Sequence, residues 1–240
     1  MNNKKAEAVK NMLELLELPV ESKQTEQLII YTNMLYEGLR SKRLTGEKTI
    51  EGIVLKQLYD SLYLIKIKQL RREGRIADVG SGGGIPGIPV KIMLPDVYIC
   101  MIEANRKKAV FIKKVIYDLG LPKAEVCWER AEKTGHKQEH REQYDAVMCK
   151  ALAEINVLAE ICLPFLKVGG DAYFYKGPAG EKEIEKAKKA IELCGGQIAE
   201  KWFYVLPGGE SRTIYHIIKD KKTSSIYPRA TGKPFKNPIT

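Results

Sequence analysis

The chain has 240 residues, of which 44% are hydrophobic and 29% charged, a composition typical of a globular protein with one large domain, or one domain and an attached subdomain. It contains no apolar run long enough to span a membrane and no signal-like start, so we expect a cytoplasmic protein. The spacing of its five cysteines and three histidines is typical of neither disulfides nor a metal site, so we expect reduced thiols and no metal. The formal net charge of +10 is compatible with a polyanionic partner such as a nucleic acid, but does not by itself establish one.

The first predicted elements along the chain are helices. Residues 4–18 are predicted to form a helix that ends before Pro19 and places four apolar side chains on one face: Val9, Met12, Leu13 and Leu16. A second helix is predicted to begin at Ser22 and a third to cover residues 51–69, before a polar junction at residues 72–74. Residues 1–72 are therefore predicted to form an N-terminal helical subdomain.

From residue 73 onward, short β-rich apolar runs alternate with helical stretches, which predicts a parallel sheet with helices on both faces. The alternation ends with two predicted strands, QIAEKWFYVLP and SRTIYHIIK, which only GGE separates. Because so short a loop cannot hold a crossover helix, these strands must form an antiparallel hairpin. Five βα units and such a hairpin predict an α/β fold for residues 73–220, the Rossmann-like seven-stranded sheet of class I S-adenosylmethionine-dependent methyltransferases. Residues 221–240 are predicted to be an extended basic tail.

The first predicted strand leads into a glycine-rich loop, DVGSGGGIPGIP at residues 78–89. Gly80, Gly82 and Gly84 leave the main chain open to a ligand at the start of a helix, and Glu103 follows at about the spacing expected of an acid that binds ribose. The pattern predicts a nucleoside-containing ligand. NAD remains an alternative, whereas the terminal hairpin favours S-adenosylmethionine, with the loop around its methionine end and Asp78 as acceptor for its ammonium group.

Two later strand ends carry further candidates. After the third strand, in RAEKTG, the main-chain groups of Ala131 and Glu132 are candidates for the adenine edge. At the end of the fourth strand, Cys149 is a candidate nucleophile for methylation at a pyrimidine carbon, although a strand cysteine more often packs in the core. The motifs used for exocyclic amines are absent from the sequence. Nitrogen-7 of guanine has a free lone pair and no proton to lose, so a site with few acid–base residues suits it as acceptor.

The chain resembles the bacterial small-subunit (16S) ribosomal RNA guanine-N7 methyltransferase family, also called glucose-inhibited division protein B. The resemblance implies an N-terminal helical cap, S-adenosylmethionine as donor and 16S ribosomal RNA or the small ribosomal subunit as partner. We also expect no membrane partner and a monomer. The matching segments span nearly the whole chain: LTGEKTIEGIVLKQLYDSL (44–62), DVGSGGGIPGIPVKIMLP (78–95), IEANRKKAVFIKKV (102–115), ERAEKTGHKQEHREQYDAV (129–147), KALAEINVLAEICLPFLKVGG (150–170) and YPRATGKPFKNPI (227–239).

The resemblance also assigns residues to the site. It implies cofactor contacts at Gly80, Ile85, Ala131 and Glu132. It places Lys150 after the fourth strand, where it is a candidate for both cofactor binding and substrate positioning. Further positioning residues are Lys176, which ends the fifth strand, and Asp60, which forms a pair with Ser61 in the helical cap. Four positions of this chain differ from the residue usual in the family: Arg43 replaces Asn, Gln57 replaces His, Glu103 replaces Asp, and Lys150 replaces Arg.

Contact with RNA is predicted for basic residues of the N-terminal helical subdomain and of the C-terminal tail, with Tyr227 or Phe235 stacking on an exposed base. The same two aromatic side chains are equally compatible with a role in fixing the tail to the protein surface. Two alternatives to this methyltransferase remain. The departures at Gln57 and Lys150 motivate the first, an RNA-binding homologue with weakened catalysis, and the second is an NAD-dependent oxidoreductase. The basic candidates are Arg40, Lys42, Arg43, Arg229, Lys233 and Lys236.

Overall fold

The computed structural model describes residues 3–42, 47, 49–68, 70 and 73–240. The N-terminal part is helical, as predicted, with α1 at Asn3–Leu16 and α2 at Ser22–Lys42. The helical register predicted for α1 is confirmed, because Val9, Met12, Leu13 and Leu16 are all buried.

The third predicted helix is not a continuous α-helix. It consists of α3 (Ile50–Ile53), a π-helical segment (Val54–Tyr59) and α4 (Asp60–Ile67). The Thr49 side chain caps its first turn by accepting a hydrogen bond from the Gly52 amide. Widened turns of this kind occur frequently at functional sites, and this one carries Lys56 and Gln57.

The remainder of the chain forms the predicted seven-stranded sheet. The strands lie in the order β3-β2-β1-β4-β5-β7-β6, in which β1 to β5 are parallel and β7 is antiparallel to both of its neighbours. The strands are β1 (Arg75–Val79), β2 (Tyr98–Ile102), β3 (Ala124–Cys127), β4 (Tyr144–Lys150), β5 (Leu166–Lys176), β6 (Gly196–Val205) and β7 (Ser211–Lys219).

Helices connect these strands. They are α5 (Gly87–Met93), α6 (Arg106–Asp118), α7 (Ala131–Thr134), α8 (Ile155–Cys162), α9 (Gly180–Leu193) and, in the tail, α10 (Lys233–Lys236). Helix α8 ends at Cys162 and continues into a 3₁₀ turn at Leu163–Phe165, where Pro164 has no amide proton to donate to a further α-helical turn. The prediction of a wholly extended tail is wrong at α10, where one helical turn forms.

Successive side chains of the strands point to opposite faces of the sheet, and each face has its own core. Ile76 and Met148 contribute to a core shared with α1, α2, α5 and α6, whereas Ala77 and Cys149 face α8 and α9. The N-terminal helices therefore cover one face of the sheet rather than forming a core of their own. The domain boundaries at residues 72 and 220 stay a prediction. Over the described residues, no helix combines the length and apolarity that a membrane span requires.

Candidate active site

The candidate site lies at the carboxyl ends of the parallel strands, where β1 and β4 are neighbours. From β1 the chain continues through β2 to β3 on one side of the sheet, and from β4 it continues to β5 on the other side. The connections therefore leave opposite faces of the sheet and open a crevice between them, the usual ligand position in this fold class. The glycine-rich loop and Lys150 both stand at this edge.

The glycine-rich loop adopts backbone conformations that favour glycine. Gly80 has φ +75° and Gly82 has φ +59°. A Cβ atom on Gly80 would lie 2.6 Å from Leu152 Cδ2, so Leu152 closely covers the first turn of the loop. The run of glycines therefore meets both a conformational and a packing requirement.

Glu103 binds this loop directly. Its Oε2 accepts a hydrogen bond from the Gly82 amide at 2.8 Å, and its Oε1 accepts one from the Asn105 amide at 2.7 Å. The carboxylate is 8% exposed. It thus joins the ends of β1 and β2, and because each oxygen has a second lone pair it can still accept from ribose hydroxyls, the predicted role.

Asp78, next to the end of β1, is a fully buried acid with an unused oxygen, and it lines neither of the two cavities at this edge. Its Oδ2 accepts from the Gly87 amide at 3.0 Å, whereas its Oδ1 is buried and has no hydrogen-bond partner among the described residues. Burial raises the pKa of Asp78 to about 7 and the Glu103 charge adds to the shift, while hydrogen bonds from Ser81 and Gly87 and the Lys150 charge oppose it. A carboxyl group whose pKa lies near 7 and whose second oxygen has no hydrogen-bond partner suits a cationic ligand group.

A solvent-open cavity of about 800 Å³ extends from the glycine loop. We call it the glycine-loop cavity. It brings together the predicted residues Gly80, Glu103, Ala131 and Glu132 with side chains that the sequence did not point to, among them Leu152 and Ile161. Its remaining lining is Val79, Ile102, Ala104, Asn105, Glu129, Arg130 and Phe235. The Glu132 side chain is 3% exposed and accepts a hydrogen bond from the Gly232 amide at 2.9 Å.

A second cavity of about 780 Å³, the Lys150 cavity, lies between the π-helical segment and the ends of β4 and β5. It contains the three predicted positioning residues Asp60, Lys150 and Lys176. The rest of its lining is Glu47, Lys56, Gln57, Ala151, Tyr175, Gly177, Glu183 and Arg212. Ala151, with φ +54°, lines this cavity and the next residue, Leu152, lines the other. The turn at residues 150–152 therefore separates the two cavities.

Lys150 is fixed by the helical cap. Its Nζ donates to Gln57 Oε1 at 2.8 Å and to the Lys56 carbonyl at 2.9 Å, and it forms an ion pair with Asp60 Oδ2 at 3.1 Å. Burial lowers the pKa of Lys150, and the Asp60 charge opposes the shift. Two of the departures from the family pattern, at positions 57 and 150, thus contact each other and satisfy each other's hydrogen bonds.

Asp60 connects three parts of the chain. Besides Lys150, it accepts a hydrogen bond from the Tyr204 hydroxyl and lies 3.6 Å from Arg212 Nε, and its side chain is 1% exposed. Lys176 is held separately, by Glu183 Oε2 at 2.6 Å and by the Ala153 carbonyl at 2.8 Å. The structure therefore gathers the predicted cationic groups at one edge, each with an anionic partner.

Two residues of this cluster, Tyr204 and Arg212, were not predicted. Both come from the β6–β7 hairpin, which the sequence indicated only as a structural element. A weak signal existed in Arg212, a charged residue near the start of a strand whose central residues are mostly apolar. Cys149, by contrast, is fully buried in the core on the α8–α9 side, which favours a packing role over that of a nucleophile. Among the described residues, no group of three His, Cys, Asp or Glu side chains is placed to hold a metal ion.

The predicted RNA-binding residues lie in different surroundings. Arg43 lies outside the described residues. Lys233 and Lys236 are exposed in α10. Arg229 instead donates two hydrogen bonds through Nε and Nη2 to the two oxygens of Glu160, whose side chain is fully buried. Contact of these residues with RNA stays a prediction, and for Arg229 the structure adds a second role, neutralising a buried acid.

We expect Arg229→Ala to destabilise the protein by about 3–5 kcal/mol, because it leaves the buried Glu160 carboxylate unpaired. Urea unfolding at neutral pH measures this free energy. Lys222→Ala, an exposed substitution in the same tail, serves as control and is expected to change it by less than about 0.5 kcal/mol. Equal stability of the two variants would contradict the structural role of Arg229.

Comparison with known proteins identifies relatives over almost the whole chain. The family model described as GidB: rRNA small subunit methyltransferase G matches residues 24–206. A Ribosomal RNA small subunit methyltransferase G from Alkaliphilus oremlandii is 39% identical over 225 residues, which cover 93% of this chain and 94% of that protein. Proteins of the same name from Pelotomaculum thermopropionicum (39% over 235 residues, 98% of each chain) and Bacillus cereus (38% over 234 residues, 97% and 98%) are equally similar.

Solved structures with low sequence identity share the fold. TrmN from Thermus thermophilus superposes with a TM-score of 0.54 at 14% identity, covering 68% of this chain and 48% of its own. A 16S rRNA (adenine(1408)-N(1))-methyltransferase from Catenulisporales acidiphilia gives 0.53 at 12% identity, covering 65% and 87%. These confirm the predicted class I methyltransferase fold. The sequence relatives go further, and on their evidence the chain belongs to the rRNA small subunit methyltransferase G family.

Proposed function

We propose that this enzyme transfers the methyl group of S-adenosylmethionine to nitrogen-7 of a guanine in 16S ribosomal RNA. Family membership supports the reaction. The assignment of the cofactor and substrate sites rests on the two cavities on either side of the turn at residues 150–152. One cavity has the features of a nucleoside site, and the other presents the cationic groups of Lys150, Lys176 and Arg212.

The residues of the glycine-loop cavity fit S-adenosylmethionine. Gly80, the residue of the loop that lines this cavity, would contact the methionine end, since the absence of a side chain lets a ligand approach the main chain closely. Contacts of Gly82, Gly84 and Ile85 with this end stay predictions from the sequence. The buried Asp78 Oδ1 has no partner among the described residues and does not line the cavity, so it would accept from the ammonium group through a water molecule. Glu103 would bind the ribose, and the main chain of Ala131 and Glu132 the adenine edge. When bound, the sulfonium supplies an electrophilic methyl group.

The Lys150 cavity would receive the guanine. Guanine presents O6 and N7 as neighbouring acceptors, and lysine or arginine donors recognise that edge. Arg212 is a candidate for O6 and Lys176 for O6 or a phosphate, whereas Lys150, whose three N–H donors already bind Gln57, Lys56 and Asp60, would exchange one of these partners to reach the base. Each lies against a carboxylate, Asp60 or Glu183, that fixes its position. The residues here position the base, and no group has to remove a proton because N7 carries none.

We further propose that the chain acts as a monomer in the cytoplasm, on the small ribosomal subunit or its RNA. The exposed Lys233 and Lys236 of α10 are candidates for the surrounding RNA phosphates, a contribution that salt would weaken.

Transfer of tritium from labelled S-adenosylmethionine to purified small subunits, and separately to naked 16S RNA, tests the proposal. We expect incorporation into at least one of the two, and 7-methylguanosine as the labelled nucleoside after digestion. RNA from cells that lack this protein is the required substrate, because its acceptor guanine is unmodified. Intact cofactor binding without incorporation would support the weakened homologue instead, and label in another nucleoside would contradict the choice of N7.

A further inference from the structure

The C-terminal tail, residues 221–240, is bound tightly along the edge that holds the glycine-loop cavity. The Arg141 guanidinium donates to the carbonyls of Thr223 and Tyr227 at 2.8 and 2.9 Å. His136 Nε2 lies 2.7 Å from the Pro228 carbonyl oxygen. Residues 131–141, which follow β3, therefore hold the first half of the tail in place.

The second half of the tail is held at both of its ends. Arg229 binds the buried Glu160 of α8 and also donates to the Asn237 carbonyl at 2.9 Å. Asn156, from the same helix, donates to the Ile239 carbonyl at 3.1 Å. Residues 230–236 thus form a loop that starts and ends on α8. Within it, the Gly232 amide donates to Glu132 Oε1, a residue of the cavity wall.

This arrangement places Phe235 in the wall of the glycine-loop cavity. Phe235 lines the cavity together with Ala131, Leu152 and Ile161, yet its side chain remains 41% exposed. Its neighbour Pro234 is buried, so the segment that carries the ring is fixed. An aromatic ring on a fixed segment, beside apolar side chains and within the same cavity as Glu103, matches a planar base joined to a ribose.

We propose that Phe235 packs against the adenine of S-adenosylmethionine, and that the C-terminal tail is therefore part of the cofactor site. This inference rests on the proposed function. It gives Phe235 a role different from the two considered from the sequence, stacking on an RNA base and fixing the tail to the protein surface, because the ring contacts the donor. Stacking between an aromatic side chain and a base predicts a loss of about tenfold in affinity when the ring is removed.

Isothermal titration calorimetry with two ligands tests the proposal. The ligands are S-adenosylmethionine and 5′-methylthioadenosine, which has the adenine and ribose but no amino-acid end. We expect Phe235→Ala to raise the dissociation constants of both by about the same factor of ten, and Phe235→Trp, which retains an aromatic ring, to preserve most of the affinity. Ile226→Ala is the matched control, since Ile226 belongs to the same tail, is 65% exposed and does not line the cavity. It should leave both constants within twofold.

The outcomes separate the inference from the function on which it rests. If the wild-type chain does not bind S-adenosylmethionine, the proposed function fails. If the wild type binds and Phe235→Ala binds equally well, only the role of Phe235 is wrong. An unchanged cofactor affinity together with weaker RNA binding would assign the ring to an RNA base and overturn the proposal. Unfolding temperatures of all variants establish that any loss is not due to misfolding, and Phe235→Trp keeps the test valid if Phe235→Ala does not fold.

Discussion

Gly82→Asp is expected to raise the dissociation constant for S-adenosylmethionine at least about a hundredfold. The Gly82 amide donates to Glu103 Oε2 at 2.8 Å, so a carboxylate on residue 82 would stand close to the Glu103 carboxylate and to the predicted position of the methionine carboxylate. Two like charges about 4 Å apart repel by about 4 kcal/mol at an effective dielectric constant near 20, which exceeds the roughly 3 kcal/mol that a hundredfold change requires.

The backbone contributes little to this expectation. Gly82 has φ +59°, a region that aspartate and asparagine tolerate better than most residues. Gly82→Asn therefore separates charge from shape and is expected to bind more tightly than Gly82→Asp. Gly169→Asp is the matched control, because Gly169 also has a positive φ, +85°, and a Cβ there meets nothing within 4 Å. Calorimetry on the three variants checks the prediction, and equal losses in Gly82→Asp and Gly169→Asp would show that the loop does not hold the cofactor.

Asp78→Asn is expected to stabilise the free protein at neutral pH while weakening its binding of cofactor. The pKa of Asp78 rises from an ordinary 3.8 to about 7 in the folded protein, mainly through burial. The folded state thus holds this proton more tightly than the unfolded state, so the free energy of unfolding falls as pH rises from about 4 to about 7. The full difference, about 3 pKa units, corresponds to about 4 kcal/mol. Urea unfolding of the free protein between pH 4 and pH 8 measures most of it, and the Asn variant should lose this part of the pH dependence.

The same substitution changes cofactor binding in the opposite direction. A positively charged ammonium group favours the ionised form of Asp78, so the affinity of the wild type should increase from pH 6 to pH 8 and that of Asp78→Asn should be lower and nearly flat. Asp96→Asn removes an exposed aspartate and is expected to alter neither property. A wild-type affinity that does not respond to pH over this range, with Asp78→Asn binding as well as the wild type, would exclude Asp78 from the ammonium site.

The sequence predicted those features of the fold that depend on local pattern. Periodicity placed the apolar face of α1, and the short GGE loop required the β6–β7 hairpin to be antiparallel. The glycine loop was predictable for the same reason, since its conformation and its position between a strand and a helix are both local. Loop length does not say where a hairpin joins the sheet, and the position of β7 between β5 and β6 became apparent only in the structure.

The site was less predictable where it depends on contacts between distant segments. The sequence indicated Lys150 and Gln57 as separate departures from the family pattern, and only the structure shows the hydrogen bond between them. Nor could sequence show that Arg229 would neutralise Glu160 rather than stand free, because the two are 69 positions apart. The π-helical segment has no sequence signal that distinguishes it from an ordinary amphipathic helix, since its apolar residues satisfy both periods.

Both cavities combine early and late parts of the sequence. Asp60 of the helical cap contacts Tyr204 and Arg212 of the β6–β7 hairpin, and Phe235 lines the glycine-loop cavity. The N-terminal helices, made first, bury their apolar faces against a sheet whose last two strands follow almost at the end. A nascent chain on the ribosome therefore has neither a finished donor site nor a finished acceptor site. A translation product that stops before β6 should therefore not modify RNA.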